Sequence, residues 1–176
     1  MKKLLFLALF IASINVSAQT EFGKCLISGS TNASLLMSTP DGSDNKSFNV
    51  NVSPAYGYFV AKNVAMGLSF AISYTELNNS YYSSNQTVFQ FSPFIRYYIA
   101  SDSSKAKFFV QLEGGYMNSN KNTGYFFSGG LGVSIFANQH IAFDIGASYL
   151  RTIVRSRATN TFGLTLGVSV FLGKQE

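Results

Sequence analysis

Few residues in this chain carry groups capable of chemistry, and they are scattered. Arg96, Glu113 and Asp144 lie inside stretches that otherwise alternate bulky and small side chains, and Gln90 and Gln111 share their parity. A guanidinium and two carboxylates on one face can form an ion-pair network, or two carboxylates can divide acid and base roles. The acid–base reading needs a substrate-binding constellation around them, and none is visible. The single histidine, His140, falls in a short turn beside Asn138 and Gln139. A hydrolytic base must be oriented by a third group, and one histidine cannot build a multi-histidine metal centre. No glycine-rich phosphate loop runs from a strand into a helix. These residues therefore point to an interior ion network of Arg96, Glu113, Asp144, Gln90 and Gln111, without enzyme activity, cofactor or metal. A second group, Arg151, Arg155 and Arg157, forms a small basic patch in the last loop candidate, where it could bind lipopolysaccharide phosphates. Guanidinium forks suit phosphate, although a solvated loop is the more ordinary role for such residues. Cys25 is the only cysteine, which excludes an internal disulfide.

The elements that must position these groups are read from period-two alternation. The last run is the clearest: Phe162, Leu164, Leu166, Val168, Val170 and Leu172 alternate with Gly163, Thr165, Gly167 and Ser169. Seven earlier stretches behave similarly, giving strands over about residues 26–37, 48–60, 64–75, 87–99, 107–117, 125–136 and 141–150. Each has about the ten residues, or slightly more, that a tilted membrane strand needs. The connectors at 38–46, 78–85, 118–123 and 154–160 are longer or more polar than those at 61–63, 101–105 and 138–139. With an even number of strands, the long connectors gather at one end and the short ones join the termini at the other. Pro54 and Pro93 interrupt two strands and predict a bulge or a widened rung.

Which face points inward follows from volume. Eight strands enclose a space that side chains barely fill, and close packing admits only small residues throughout most of it. The bulky face must then point outward, where a continuous apolar belt suits lipid. In that setting Arg96, Glu113 and Asp144 belong in the lumen, since a charge at mid-depth on the lipid face costs up to about 2–4 kcal/mol. Aromatics near both strand ends, such as Tyr74, Phe89, Tyr125 and Phe162 at one and Tyr58, Tyr97, Phe108 and Phe143 at the other, are placed as interfacial girdles. Phe59, Tyr98, Phe109, Phe136 and Phe171 break the rule, because they are bulky yet have inward parity near the short-turn end. Either they crowd and close that mouth, or a register shift returns them to the girdle.

Residues 1–18 read as a secretory signal peptide: Lys2 and Lys3, an apolar run from Leu4 to Ile14, then Val16-Ser17-Ala18 before the expected cut. The apolar run is too short to span a bilayer as a helix. Residues 19–176 then form one domain. The formal charge of +5 includes Lys2 and Lys3, and what remains is too mild to argue for nucleic acid, for which no basic run or stacking motif exists either.

The stretch Ser53-Pro54-Ala55-Tyr56-Gly57-Tyr58-Phe59-Val60, followed by Asn63-Val64-Ala65-Met66-Gly67-Leu68, resembles the small eight-stranded outer-membrane β-barrel proteins of the OmpX and OmpA-barrel type, particularly those of Bacteroidetes. Ser92-Pro93-Phe94-Ile95-Arg96-Tyr97-Tyr98 and the closing Gly167-Val168-Ser169-Val170-Phe171-Leu172 carry the same resemblance, which covers essentially the whole mature chain. It implies an all-β, antiparallel up-and-down transmembrane barrel, monomeric, in the outer membrane of a Gram-negative bacterium. It also implies insertion by the barrel assembly machinery, which reads an aromatic-ended last strand. Phe171 matches that position, although here the chain continues through Leu172-Gly173-Lys174-Gln175-Glu176. The expected role is structural or surface-interacting, through the long loops, with outer-membrane lipid and lipopolysaccharide as surroundings. The alternatives are a narrow pore or a carrier for a small apolar ligand. A lipid-modifying enzyme would need a catalytic pair at the loop rim, and His140 lies at the other end.

Overall fold

Alternation of bulky and small residues produces eight strands in the computed structural model, which describes residues 20–38, 45–79, 82–99, 105–119, 122–155 and 157–173, with the backbone alone at 31–38, 45–49, 77–79, 82–84 and 157. They are β1 (Cys25–Ser38), β2 (Asn45–Ala61), β3 (Val64–Asn79), β4 (Tyr82–Tyr98), β5 (Ala106–Ser119), β6 (Thr123–Phe136), β7 (Ile141–Val154) and β8 (Arg157–Leu172). Each pairs antiparallel with its neighbour in sequence, and β8 returns to β1 to close the barrel. The closing seam runs in register from Cys25–Leu172 to Thr31–Leu166. Closure leaves no open edge where the seam is paired, which is the condition for a sheet to lie in hydrocarbon.

The two faces divide as the volume argument requires. Leu164 is 80 % exposed and Phe162 82 %, and Leu68, Leu131 and Val168 are exposed as well. Their sequence neighbours Ser69, Gly132 and Ser169 are buried. The apolar side chains thus coat the outside of a cylinder with small residues inside. Both proposed girdles lie on that outer face, with Phe89, Tyr116, Tyr125 and Phe162 exposed at one end and Tyr58, Tyr97, Phe108 and Phe143 at the other.

At the short-turn end the strand limits fall within about a residue of those expected. At the other end they do not. β3, β4, β7 and β8 run four or five residues beyond the limits read from the sequence, so that only residues 80–81 join β3 to β4 and 155–156 join β7 to β8. The long loops expected at 78–85 and 154–160 are therefore mostly strand. The cause is physical. Beyond the lipid both faces of a hairpin meet water, so Asn, Ser and Thr occupy both parities and the period-two signal vanishes while the hydrogen-bonded ladder continues. The expected contrast of long and short connectors fails with it, since 99–105 is among the longest stretches between strands.

The prolines widen a rung without shifting register. Between β2 and β3 the pairing runs to Val52–Ile72 and resumes at Ala55–Ser69. Between β4 and β5 it runs to Phe91–Tyr116 and resumes at Phe94–Glu113. Each gap spans one missing donor, as proline's lack of N–H demands. The register shift in this part of the sheet lies instead between Phe59 and Ala61, just before the tight Lys62-Asn63 turn. Asn63 there has a φ of 65°, a left-handed value that asparagine tolerates.

Inside, Gly67 is indispensable. A Cβ on Gly67 would lie 2.0 Å from the Tyr56 carbonyl oxygen and 2.8 Å from the Phe94 ring. Phe94 is buried and fills the lumen over Gly57 and Gly67. Gly67→Val should therefore destabilise the barrel by at least about 1–3 kcal/mol, the range for overpacking. Gly29→Ala, where a Cβ meets nothing within 4 Å, should stay within about 0.5 kcal/mol. Urea titration of heat-modifiable gel mobility in lipid vesicles measures both, and equal loss in the two variants would contradict this account of the wall.

Candidate functional site

The inward face of the barrel holds a polar cavity of about 190 Å³, lined along its length by residues such as Ser30, Asn51, Ser69, Gln90, Arg96 and Glu113. Its charged residues are set by strand register. Arg96 on β4 stands beside Gln111 on β5, and its Nε donates to Gln111 Oε1 at 2.7 Å. Asp144 lies on β7, three strands away along the wall. The two meet across the lumen: Arg96 Nη1 lies 3.0 Å from Asp144 Oδ2. Ser134 and Ser169 each donate to Asp144 at 2.6 Å, so the carboxylate accepts from three strands. The guanidinium also lies 4.4 Å from the Phe109 ring centroid, a cation–π distance. A buried pair satisfied on both sides in this way escapes the cost of an isolated interior charge.

Four of the five expected network members connect, with Gln111 as the link between Arg96 and Glu113. Arg96, Gln111 and Asp144 form the bonded core. Glu113 joins through Gln111, with which its carboxylate hydrogen-bonds, and it also accepts from Ser69 Oγ at 3.4 Å, Ser69 in turn contacting Ser92 Oγ at 2.8 Å. Gln90 lines the same cavity. Glu113 is two residues beyond Gln111 on one face, about 6.8 Å along the axis, and Phe94 occupies the rung beside it.

Toward the short-turn end the lumen changes from polar to aromatic. Phe59, Tyr98, Phe109, Phe136 and Phe171 are all buried, with Leu26, Ala65 and Ala142 among them. Their rings touch in a continuous cluster: Phe136–Phe171 centroids lie 5.1 Å apart, Phe59–Tyr98 5.9 Å and Tyr98–Phe109 6.0 Å. Tyr98 also joins the aromatic cluster to the ions, its hydroxyl accepting from Arg96 at 3.3 Å.

Two residues that the sequence reading did not single out complete this end. Lys107 is fully buried and donates from Nζ to Thr20 Oγ1 at 2.8 Å. Thr20 is buried too, and its carbonyl accepts from Asn63 N at 2.7 Å. Residues 20–24 are strapped across the mouth by Gly23 N to Phe59 O and Phe59 N to Lys24 O. Lys107 shares the parity of Phe109 and Gln111, so alternation alone would have placed it inside. Nothing local in the sequence announces Thr20 as its partner. His140 lies in the turn at this same end, exposed, where its carbonyl accepts from Phe171 N.

The arginine group needs correction. Arg151 lies in β7 and Arg157 in β8, and Arg155, with a φ of 45°, is in the connector. Two of the three thus lie in strand rather than in a loop. Arg151 is exposed on the outer face, opposite Phe127 and Asn160. Arg157 pairs with Val154, a position of the other parity, and its side chain lies outside the described residues.

An outward apolar coat, a narrow polar lumen and a closed antiparallel ladder of eight strands define a transmembrane β-barrel. Residues 4–170 match the outer membrane protein beta-barrel domain, and the chain belongs to that family. Among solved structures it is similar to the outer membrane protein OprG from Pseudomonas aeruginosa, with a TM-score of 0.61, 12 % identity and coverage of 89 % of this chain and 99 % of that one. Neisserial surface protein A is also similar, with a TM-score of 0.52, 18 % identity and coverage of 84 % and 96 %. At these identities the likeness establishes the fold. No curated protein matches the sequence.

Removing one partner of the buried pair leaves the other uncompensated. Asp144→Ala should cost about 3–5 kcal/mol, whereas Arg96→Met with Asp144→Leu should recover much of that loss. Refolding titrations of the single and double variants check this, and additive losses would contradict the pairing.

Proposed function

We propose that this protein is an exported, monomeric, non-catalytic outer-membrane barrel, closed at its periplasmic end, that acts through structure and through the outer ends of its strands. The observation that carries this is the buried aromatic cluster of Phe59, Tyr98, Phe109, Phe136 and Phe171 at the short-turn end. Rings in contact narrow the path, and the few oxygens there are already engaged by Arg96 and Lys107, so a passing ion stripped of its water would go uncompensated. In the cavity beyond, Arg96, Glu113, Asp144 and several hydroxyls stand among the apolar groups, so an apolar ligand there would desolvate charges, which argues against a carrier of that kind. Export rests on the signal-like residues 1–18, and insertion on the aromatic end of β8 at Phe171 read by the assembly machinery.

On this reading the projecting hairpins, not flexible loops, form the contact surface. Strands of 14 to 17 residues exceed the ~10 that the apolar band requires, so several residues of paired, polar strand stand clear of the lipid. Such rigid hairpins present side chains without the ordering cost that a mobile loop incurs on binding.

Cell fractionation with heat-modifiable mobility tests location and closure of the barrel. Planar-bilayer recording tests the seal. The wild-type barrel should give no stable unitary conductance, and Phe59→Ala with Phe171→Ala should produce a small one. A steady wild-type conductance from the folded monomer would overturn the closed-end reading.

A further inference from the structure

The lipid-facing wall is not uniformly filled. On β6 and β7 two outward positions carry almost no side chain, Gly129 and Ala147. Register places Gly129 between Leu112 and Tyr149, and Ala147 between Leu131 and Leu164. The result is a groove of about 620 Å³ walled by Val110, Leu112, Tyr149, Phe162 and Leu164. That is within the size range of ligand pockets, about 300–1,000 Å³. In hydrocarbon it must hold a lipid chain, since a void there would forfeit its dispersion contacts.

What distinguishes this groove is its outer end. Two residues along β7 from Tyr149 on the same face, some 7 Å further out, stands Arg151. It is exposed, and the residue opposite it on β8 is Asn160, also exposed. Arg151 and Asn160 are the first polar pair outward of the groove on these two strands, beside Phe127 and one rung inside the girdle residue Tyr125, so the long guanidinium arm reaches headgroup level by extending outward. Arg155 lies just beyond, in the connector. The acidic residues of β5 to β8 are Glu113 and Asp144, and both line the lumen. The outer face of this wall therefore carries cations with no carboxylate on the same strands to neutralise them.

We propose that this groove, headed by Arg151, is a binding site for a phosphorylated, multiply acylated glycolipid of the outer leaflet, that is, the lipid A portion of lipopolysaccharide. One acyl chain lies over Gly129 and Ala147, and a phosphate pairs with the Arg151 guanidinium, with Arg155 adding charge. An acyl chain and a phosphate on one molecule match the apolar groove and the cation above it. A glycolipid supplies several chains and more than one phosphate, which suits a groove of this volume and two arginines. The proposal rests on the outward orientation of the strand ends argued above.

The test uses the folded barrel in mild detergent, titrated with bis-phosphorylated lipid A or with phosphatidylglycerol, with bound lipid counted by native mass spectrometry. Wild type should hold one lipid A and prefer it to phosphatidylglycerol at least tenfold. Gly129→Leu with Ala147→Leu fills the groove and should reduce binding at least tenfold. The Cβ at 129 meets just the Leu112 Cδ2, at 3.4 Å. Arg151→Gln, on an exposed position that leaves the wall intact, should reduce binding several-fold. Gly29→Leu, on β1 at a site with open space, should leave it unchanged. Unaltered binding in the groove-filled or Arg151→Gln barrel, equal retention of phosphatidylglycerol, or occupation of the groove by a second barrel would overturn the proposal while leaving the closed barrel standing. Surface labelling of Arg151→Cys on intact cells separates the two claims. A residue reached from the periplasm alone would overturn the orientation, and this site with it.

Discussion

An eight-stranded cylinder has too little room inside for the side chains that make up half of an alternating strand, unless those side chains are small. Everything else in this barrel follows from that limit. The bulky residues must face outward, and an unbroken apolar exterior is stable only against lipid. Lipid in turn demands that each backbone donor and acceptor in the wall find a partner within it, which closure of β8 onto β1 provides. Where donors are missing, at Pro54 and Pro93, the ladder skips a rung and keeps its register. Any slip by one residue would exchange the apolar and small faces over a whole strand.

The same limit explains why the protein has its hydrophobic core at one end. In the middle of the lumen, hydroxyls and glycines leave a polar cavity. At the short-turn end, Phe59, Tyr98, Phe109, Phe136 and Phe171 all turn inward and pack together. Large rings fit there because the partners that share the space are Ala65 and Ala142 and because Gly132 accepts the edge of Phe109. A Cβ on Gly132 would come within 2.6 Å of that ring. Small residues inside are thus not merely filler. They are the sockets into which a few large ones fit.

Much of this was legible from parity, and what was not had a common cause. The eight strands, their order and the inward placement of Arg96, Glu113 and Asp144 follow from alternation, because each strand borders lipid on one side and lumen on the other. Alternation fails where that contrast ends. Beyond the membrane both faces of β3, β4, β7 and β8 meet water, so alternation assigns these hairpins to loops, and Arg151 and Arg157 with them. Pairing across the lumen was also invisible. Parity places Arg96 and Asp144 inside, but their contact depends on how far the strands are staggered around the cylinder. Thr20, ahead of the first strand, reaches Lys107 only because the strap at residues 20–24 bonds to Phe59 and Asn63.

Lys107 and Arg96 together clarify how the closed end tolerates charge. A charge with no exposed surface would ordinarily destabilise the fold. Here Lys107 lies above a ring at 6.0 Å, that of Phe136, and donates to Thr20, while Arg96 lies over Phe109 and pairs with Asp144. Each cation is in contact with an aromatic face and at least one oxygen. The rings exclude water, and the quadrupoles of the same rings partly replace it. Sealing and charge stabilisation are therefore performed by one set of side chains. It follows that an aromatic-to-aliphatic change at Phe109 would keep the apolar volume but remove the face beneath Arg96, so that the seal and the ion pair would weaken together rather than separately.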